Sequence, residues 1–239
     1  MRTTMTATAL LTLTIALAHA QEPTTTSAPA ATQPASSLEI IPRDAWGSRP
    51  NPIPASRKQT PKFFTLHHAG DTWKAGTDPA DSLRRVQAWG QREKGWPDLP
   101  YHYIIAPDGR VFEGRDWQYQ PESNTKYDLN GVLNIELLGN FEVQRVSPEQ
   151  LRATVALVAK LSKDLNVSPD TIRGHRDAAE GQTVCPGKDF YRYVKDGLIK
   201  RWVVETLEGK SADVRELEPL ADGPTTRIST EAPPTEPAN

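Results

Sequence analysis

The sequence predicts a single α/β domain in which a central mixed β-sheet is flanked by about three helices. Four short apolar runs have the length and the β-branched or aromatic content of strands. They alternate along the chain with three segments that have helical periodicity and helix-end signals. All of them fall between about residues 38 and 210, which is an ordinary length for one domain. Interleaved strands and helices typically form a sheet that is covered by helices.

Three helices are predicted from their ends. Asp78-Pro79 supplies an N-cap and a first-turn proline to a helix that stops at Gly95. Ser147-Pro148-Glu149-Gln150 is a capping box, and apolar residues follow it at helical spacing. A third helix is expected over about residues 189–208, because apolar residues form one stripe there and a glycine comes next.

Four strands are predicted at residues 63–68, 101–106, 110–113 and 132–138. The second and third are separated by Pro107-Asp108-Gly109, which is typical of a hairpin turn.

The two ends of the chain differ in composition from this central domain. Residues 1–20 have the pattern of a secretory signal peptide, with a short apolar run and a small-x-small cleavage site, Ala18-His19-Ala20. That run is too short to span a bilayer, which needs about 20 apolar residues. We therefore expect an exported protein, periplasmic or secreted, with no membrane span in its mature form. Residues 21–37 and 211–239 are polar and rich in proline, and they predict a disordered linker and a disordered tail.

Charge and cysteine content narrow the function classes. The 239 residues have a formal net charge of -2, so binding to nucleic acid is not expected. Cys185 is the single cysteine and cannot form an internal disulfide, although exported proteins usually hold their cysteines in pairs. Such a thiol must be buried, bound to metal or used chemically. A domain of this size buries its core without a partner, and we expect a monomer.

Histidine and cysteine side chains suggest a metal centre. His67 and His68 end the first predicted strand, where successive side chains point to opposite faces, so at most one of them shares a site with a given partner. His175 and Cys185 lie in a loop-like segment between two helices. Imidazole and thiolate both suit zinc, which catalytic sites hold by three protein ligands. The residues alone leave two interpretations open, a His, His, Cys zinc site and a buried structural thiol.

Glu136 and Tyr101 are candidates for proton transfer. Glu136 lies inside the apolar run "VLNIELLG", where an unpaired carboxylate is costly and has a raised pKa. Such a carboxylate caps a loop, pairs with an arginine or acts as a general base. Tyr101 starts a strand and can present its hydroxyl at the strand end, although a half-buried core tyrosine is the commoner outcome.

At these residues the chain resembles the zinc amidase family of peptidoglycan recognition proteins, phage amidase-type lysozymes and bacterial N-acetylmuramoyl-L-alanine amidases. The resemblance covers nearly the whole central segment through "IIPRDAWGSRP", "TLHHAG", "GWPDLPYHYIIAPDGRVFEGRDW", "NIELLGNF" and "IRGHRDAAEGQTVCPG". It implies the fold of that family, one zinc ion per chain, and peptidoglycan or a muropeptide as substrate. The implied reaction is hydrolysis of the amide between the lactyl group of N-acetylmuramic acid and the L-alanine of the stem peptide.

The resemblance also implies a ligand set. His67, His175 and Cys185 match the zinc ligands of the family, which makes His68 a structural neighbour. Members that only bind peptidoglycan tend to lack the cysteine, so its presence favours catalysis. A non-catalytic peptidoglycan-binding module remains the alternative, and a structural or zinc-sequestering protein would need a fourth protein ligand.

Three catalytic roles follow from the same resemblance. Tyr101 matches a tyrosine that lies beside the nucleophilic water in the recognition-protein and phage branches, and Glu136 matches a catalytic glutamate of one bacterial branch. Because this chain has both, the main proton-transfer group stays open. Thr183 matches a threonine or lysine whose side chain supports the oxyanion.

Arg115 and Trp117 are implied as substrate-binding residues. They match the arginine and tryptophan of an "EGRGW"-like segment that helps recognise diaminopimelate stem peptides, whose extra carboxylate suits a guanidinium. Asp116 replaces the glycine of that segment and adds a negative charge. A diaminopimelate preference and an exposed salt bridge are therefore the two expectations for Arg115.

Overall fold

The computed structural model describes residues 38–231. The predicted signal peptide and linker, and the end of the predicted tail, lie outside these residues. Within them a six-stranded mixed sheet has the order β1-β4-β3-β5-β2-β6. The strands are β1 (Ile40–Ile41), β2 (Phe63–His68), β3 (Tyr103–Ile105), β4 (Val111–Glu113), β5 (Val132–Leu137) and β6 (Arg173–Gly174). Only the pairing of β3 with β4 is antiparallel among these neighbours.

All four predicted strands are confirmed, with ends that differ by at most two residues. The hairpin between β3 and β4 turns at Gly109, whose amide donates to the carbonyl of Ala106 at 2.9 Å. A φ of 86° at Gly109 is the left-handed conformation that favours glycine. The additional strands β1 and β6 have two residues each, which is too short to produce a periodic pattern.

Five α-helices are described: α1 (Pro79–Trp89), α2 (Pro148–Leu165), α3 (His175–Ala178), α4 (Lys188–Lys195) and α5 (Leu198–Leu207). Single turns of other helix types lie at Arg43–Trp46, Ala55–Arg57, Gly90–Lys94 and Pro169–Thr171. The predicted caps are confirmed. Asp78 accepts from the amide of Ala80 at 3.0 Å, and Ser147 accepts from the amide of Gln150 at 3.0 Å.

Two helix predictions needed correction. The first helix ends at Trp89, and a π-helical turn carries the chain on to Gly95, whose φ of 66° stops it. The third predicted helix is divided into α4 and α5, because Gly197 adopts a φ of 70° that an α-helix cannot continue through. The apolar stripe is continuous in sequence across this break, which is why periodicity alone predicted one helix.

The two central strands are buried on both faces, as expected for parallel strands covered by helices. One face of β5 carries Leu133, Ile135 and Leu137, each fully buried. Its other face carries Asn134 and Glu136, which are also buried. Removing each leucine-sized side chain from water contributes about 1.5–3 kcal/mol. The apolar face therefore fixes the register that holds the polar face in place.

A carboxyl-terminal strap, residues 212–228, packs against the domain without forming helix or strand over its length. Ile228 is 5% exposed and belongs to the hydrophobic core. Arg145 pairs with Glu216 at 3.0 Å and its amide donates to the carbonyl of Thr226 at 2.8 Å. This differs from the disordered tail that composition predicts, because the strap finds its contact partners in the domain.

None of the helices among residues 38–231 combines the length and the apolar character that a membrane span requires.

Candidate metal centre

The candidate site lies where parallel strands β2, β5 and β6 end. His67 on β2 pairs in register with Glu136 on β5, so both side chains point to the same face of the sheet. Leu66 pairs with Gly174 on β6, and His175 is the next residue, at the start of α3. The carboxyl ends of adjacent parallel strands are a common place for ligand sites.

Side chains of His67, His175 and Cys185 converge at this edge of the sheet. One possible ligand atom from each lies within 4.8 Å of the other two. The sulfur of Cys185 is 3.7 Å from Nδ1 of His67, and the two imidazole centroids are 4.5 Å apart. A tetrahedral zinc ion, with ligands at about 2.0–2.3 Å, separates its donors by roughly 3.5 Å. The donor set and its spacing therefore fit zinc.

Each imidazole also contacts an oxygen on its outer side. Nε2 of His67 lies 2.9 Å from Oδ1 of Asn134. Nε2 of His175 lies 2.6 Å from Oγ1 of Thr125. Such partners orient metal-ligating imidazoles in many proteins. Sequence reasoning missed both of them, although Asn134 shares with Glu136 the signal of a polar residue in an apolar strand.

Cys185 is held by backbone contacts in the loop between α3 and α4. Its sulfur accepts from the amide of His68 at 3.3 Å, and its own amide donates to Oγ1 of Thr183 at 3.0 Å. Burial raises the pKa of the Cys185 thiol to about 12, and the His68 amide offsets this only in part. Without a cation the thiol is therefore protonated at neutral pH, whereas a coordinated thiol is deprotonated.

Glu136 and Tyr101 lie beside the convergent donors. Burial raises the pKa of Glu136 to about 8, although a hydrogen bond from the Tyr101 hydroxyl lowers it. The Tyr101 ring centroid is 5.2 Å from that of His67. Burial, followed by the charge of Glu136, raises the pKa of Tyr101 well above its ordinary value. Near neutral pH the carboxyl group can exchange a proton, while the phenol stays protonated.

His68 points away from the convergent donors, as the alternation of side chains along a strand predicts. Its Nδ1 accepts from the amide of Phe141 at 3.1 Å, and the two rings lie 6.1 Å apart. Burial lowers the pKa of His68 to about 4, so the ring is neutral over most of the pH range. It supports the segment that follows β5.

A cavity of about 610 Å³ opens from these residues. His67, His175, Tyr101 and Glu136 lie at one part of its lining. The face of α1 and the turn after it add charged and aromatic groups, including Arg85, Trp89 and Trp96. The loop after β2 completes one wall with Asp71, Thr72, Trp73 and Lys74. A groove of this kind can hold an extended ligand with both polar and apolar parts.

Arg115 and Trp117 do not line this cavity. Arg115 is 1% exposed and donates to the carbonyls of Leu99 at 2.8 Å and Gln120 at 2.6 Å. It also pairs with Glu122 at 3.3 Å. Trp117 is partly buried and packs against the core. The structure therefore places Arg115 in a buried network, which differs from both the exposed salt bridge and the substrate contact expected from sequence.

Thr183 also lies outside the cavity lining, and its oxygen is engaged by the Cys185 amide. Its hydroxyl proton is not used in that contact, since the hydroxyl oxygen is the acceptor.

The segment that carries these residues is similar to known proteins. A family model described as N-acetylmuramoyl-L-alanine amidase matches residues 57–188, more than half of the 239-residue chain. Peptidoglycan-recognition protein SC2 of Drosophila melanogaster is 28% identical over 160 residues, which cover 66% of this chain and 85% of that protein.

Solved structures show the same fold. The N-acetylmuramoyl-L-alanine amidase LysC of Clostridium intestinale has a TM-score of 0.53 at 23% identity, covering 67% of this chain and 97% of its own. Human PGRP-IBETAC, solved in complex with glycosamyl muramyl pentapeptide, has a TM-score of 0.58 at 24% identity, covering 65% and 94%.

Proposed function

The chain belongs to the N-acetylmuramoyl-L-alanine amidase family, and from this premise we propose that it hydrolyses the amide between the lactyl group of N-acetylmuramic acid and the L-alanine of the stem peptide. The observation that carries the proposal is the convergence of His67, His175 and Cys185 within 4.8 Å beside a buried carboxyl group. The substrate would be peptidoglycan or a muropeptide. Human PGRP-IBETAC was solved with a ligand of this class, which supports the assignment.

His67, His175 and Cys185 would hold one zinc ion. When bound, zinc acts as a Lewis acid on the amide carbonyl and lowers the pKa of water toward about 7. Three protein ligands leave a position open for chemistry, which is the arrangement of catalytic rather than structural zinc sites. A fourth histidine or cysteine ligand is not found among the described residues near this cluster, and the zinc-sequestering alternative would need one.

Glu136 is the proposed proton-transfer group. Its carboxylate would take a proton from the attacking water and pass it to the amine nitrogen of the leaving L-alanine. A pKa of about 8 suits both steps, because the group can be charged or neutral near neutral pH. The phenol of Tyr101 is held protonated and is a poor base at that pH.

Tyr101 and Thr183 would assist as hydrogen-bond donors. The Tyr101 hydroxyl, which lines the cavity together with Glu136, would orient the water toward the carbonyl carbon. Thr183 would donate its free hydroxyl proton to the oxyanion, an effect whose loss can cost about 100-fold or more in rate. Its bond to the Cys185 amide ties its position to that of the third ligand.

Selection among stem peptides would depend on groups that line the groove. Arg115 is surrounded by carbonyls and Glu122, so it gives no support to a diaminopimelate preference. Arg85 and Lys74 are the cationic side chains of the lining.

A second candidate function is peptidoglycan recognition without cleavage, which the names of several relatives favour. The presence of Cys185 argues against it, because a binding module does not require a third metal ligand. In either case we propose an exported, monomeric protein, on the strength of the signal-peptide pattern and the size of the domain.

A turnover assay separates these possibilities. Purified protein would be incubated with peptidoglycan, with added zinc and with a chelator, and newly exposed L-alanine amino groups would be measured. Release that requires zinc and is lost in Cys185→Ser supports the amidase. Binding to peptidoglycan without release, in protein shown to contain zinc, would establish the recognition module instead.

A further inference from the structure

We propose that Asn134 is a positioning residue of the metal centre, which fixes the His67 ring in the tautomer that presents Nδ1 to the ion. The inference goes beyond the family assignment, and it depends on the proposed zinc site. It is carried by four hydrogen bonds of Asn134, two of its side chain and two of its backbone, and the residue is fully buried.

The orientation of the Asn134 amide is fixed by a neighbour other than His67. Its Nδ2 donates to the carbonyl of Pro100 at 3.2 Å. If Oδ1 and Nδ2 exchanged places, Oδ1 would lie against the carbonyl oxygen of Pro100, and two acceptors would face each other. Oδ1 therefore faces the imidazole, 2.9 Å from Nε2 of His67.

This orientation determines where the proton of His67 lies. An amide oxygen only accepts hydrogen bonds, so Nε2 of His67 must carry the proton. The neutral ring then has its lone pair on Nδ1, which is the nitrogen 3.7 Å from the sulfur of Cys185. Metal binding requires a neutral imidazole with a free lone pair, and here that lone pair lies on the nitrogen nearest the sulfur of Cys185.

The backbone of Asn134 is tied on the far side from His67. Its amide donates to Nδ1 of His102 at 2.9 Å, and its carbonyl accepts from the amide of His102 at 2.9 Å. His102 in turn contacts the carbonyl of Tyr119 through Nε2 at 2.9 Å. Because both side chain and backbone are anchored, Asn134 holds the His67 ring rather than following it.

Asn134 and Glu136 are alternate residues of β5 and lie on one face of the sheet. One strand thus supplies both the group that orients a ligand and the proposed proton acceptor. A neutral amide at this position orients the ring without adding a negative charge, unlike the carboxylate found behind many zinc-binding histidines.

The test is zinc affinity, measured by competition with a chromophoric chelator. Asn134→Leu keeps much of the volume and removes the acceptor, and we expect zinc to bind about 10–100-fold more weakly. Asn134→Asp keeps an acceptor oxygen and should bind at least tenfold more tightly than Asn134→Leu. Asn130→Ala, at an exposed position before the same strand, is the matched control and should bind like the unaltered protein.

Nitrogen NMR of the metal-free protein gives a second readout that needs no zinc. The unaltered protein should show His67 protonated at Nε2, and Asn134→Leu should show a mixture of tautomers. Equal zinc affinity in the unaltered protein and Asn134→Leu would overturn the inference while leaving the proposed function standing. Equal losses in the Leu and Asp variants would also overturn it, since packing would then explain the effect. Failure of the unaltered protein to bind zinc would overturn both proposals.

Discussion

Glu136 lies directly beside His67 in the register of two parallel strands, so a proposed metal ligand and a proposed proton acceptor are held by one hydrogen-bond ladder. Their separation does not depend on a loop. Glu136 is 4% exposed and His67 is 2% exposed. The proposed chemistry would therefore take place where few water molecules reach and electrostatic interactions are strong.

Replacing Glu136 should separate catalysis from metal binding. Glu136→Gln removes the proton acceptor and should lower kcat about 100- to 10,000-fold, while zinc content stays unchanged. Tyr101→Phe should lower kcat less, because it removes one hydrogen bond and leaves the carboxyl group. Amine release and zinc content measured on both variants provide the check. A larger loss in Tyr101→Phe would assign proton transfer to the tyrosine.

Zinc should stabilise the folded chain. A ligand present at 100 times its Kd stabilises the native state by about 2.7 kcal/mol. Thermal unfolding should therefore occur at higher temperature with zinc than with chelator, and Cys185→Ser should reduce this shift. His68→Gln serves as a comparison, because His68 faces away from the cluster and should retain a zinc-dependent shift. Identical shifts in the Cys185→Ser and unaltered proteins would remove the sulfur from the ligand set.

The contribution of Glu136 to the stability of the metal-free protein should fall as pH rises from about 6.5 to 8. Glu136 has a pKa of about 8 in the folded protein against 4.5 ordinarily, so the native state keeps a proton that the unfolded state has lost. Stability from this group is fully present below pH 4.5 and is lost as pH rises toward 8. Over this upper window the loss is about 1–2 kcal/mol, from about 1.4 kcal/mol for each pH unit.

Buried histidines have the opposite effect on stability, which they lower as the pH decreases. Burial lowers the pKa of His102 from 6.5 to about 3, so its contribution to stability is lost as pH falls from 6.5 toward 3. Between pH 6.5 and about 7.5 the histidine contribution still rises, because an unfolded imidazole is half protonated at pH 6.5, and His67, His68 and His175 behave in the same way. Only the comparison with Glu136→Gln therefore isolates the carboxyl group. Denaturant unfolding of both proteins with chelator from pH 6.5 to 8 checks the prediction, since the stability of the unaltered protein relative to Glu136→Gln should decrease by about 1–2 kcal/mol. An equal pH dependence in both proteins would contradict it.

The carboxyl-terminal strap should contribute to global stability. Ile228→Ala removes a buried side chain and should lower the free energy of unfolding by about 2–4 kcal/mol. Thr225→Ala, at an exposed position of the same strap, should change it by less than about 0.5 kcal/mol. Urea unfolding of both variants measures the difference. If the two were equally stable, Ile228 would not be part of the core.

Arg115 should affect folding rather than substrate choice. Arg115→Ala removes the donor to the buried carbonyls of Leu99 and Asp98, while Glu122 keeps its pair with Arg57. Leaving a buried polar group without its partner costs about 1–3 kcal/mol. The ratio of cleavage rates on diaminopimelate-type and lysine-type peptidoglycan should stay the same in the variant that folds. Arg85→Ala, on the groove face of α1, is the comparison in which that ratio is expected to change. A changed ratio in Arg115→Ala alone would restore it as a specificity residue.

Local signals in the sequence were sufficient for most of the elements but not for the convergence of the site. The Ser147 capping box and the alternation of polar and apolar residues on β5 are local patterns that the structure retains. Alternation also explains why only one of His67 and His68 faces the cluster, and the family resemblance indicated His67. The meeting of His67 with Cys185, 118 residues apart, was reached through the family resemblance, because their spacing in sequence carries no geometry.

Features that depend on distant partners were not predictable. Arg115 lies in a charged segment that is ordinarily exposed, and its burial depends on carbonyls of two other segments. The sequence of the strap has no hydrophobic periodicity. The burial of Ile228 is therefore visible only in its contacts with the core of the domain. Gly197 interrupts a helix whose apolar stripe is unbroken, so the break is set by one backbone conformation.

The position of Ile228 also bears on when the domain matures during biosynthesis. The Ile228 side chain lies close to Gly139, a residue that lines the groove. A Cβ atom added to Gly139 would lie only 2.6 Å from Cδ1 of Ile228. During translation Ile228 is added forty residues after residue 188, where the family match ends. This part of the groove therefore cannot take its final form during synthesis until residue 228 has left the ribosome.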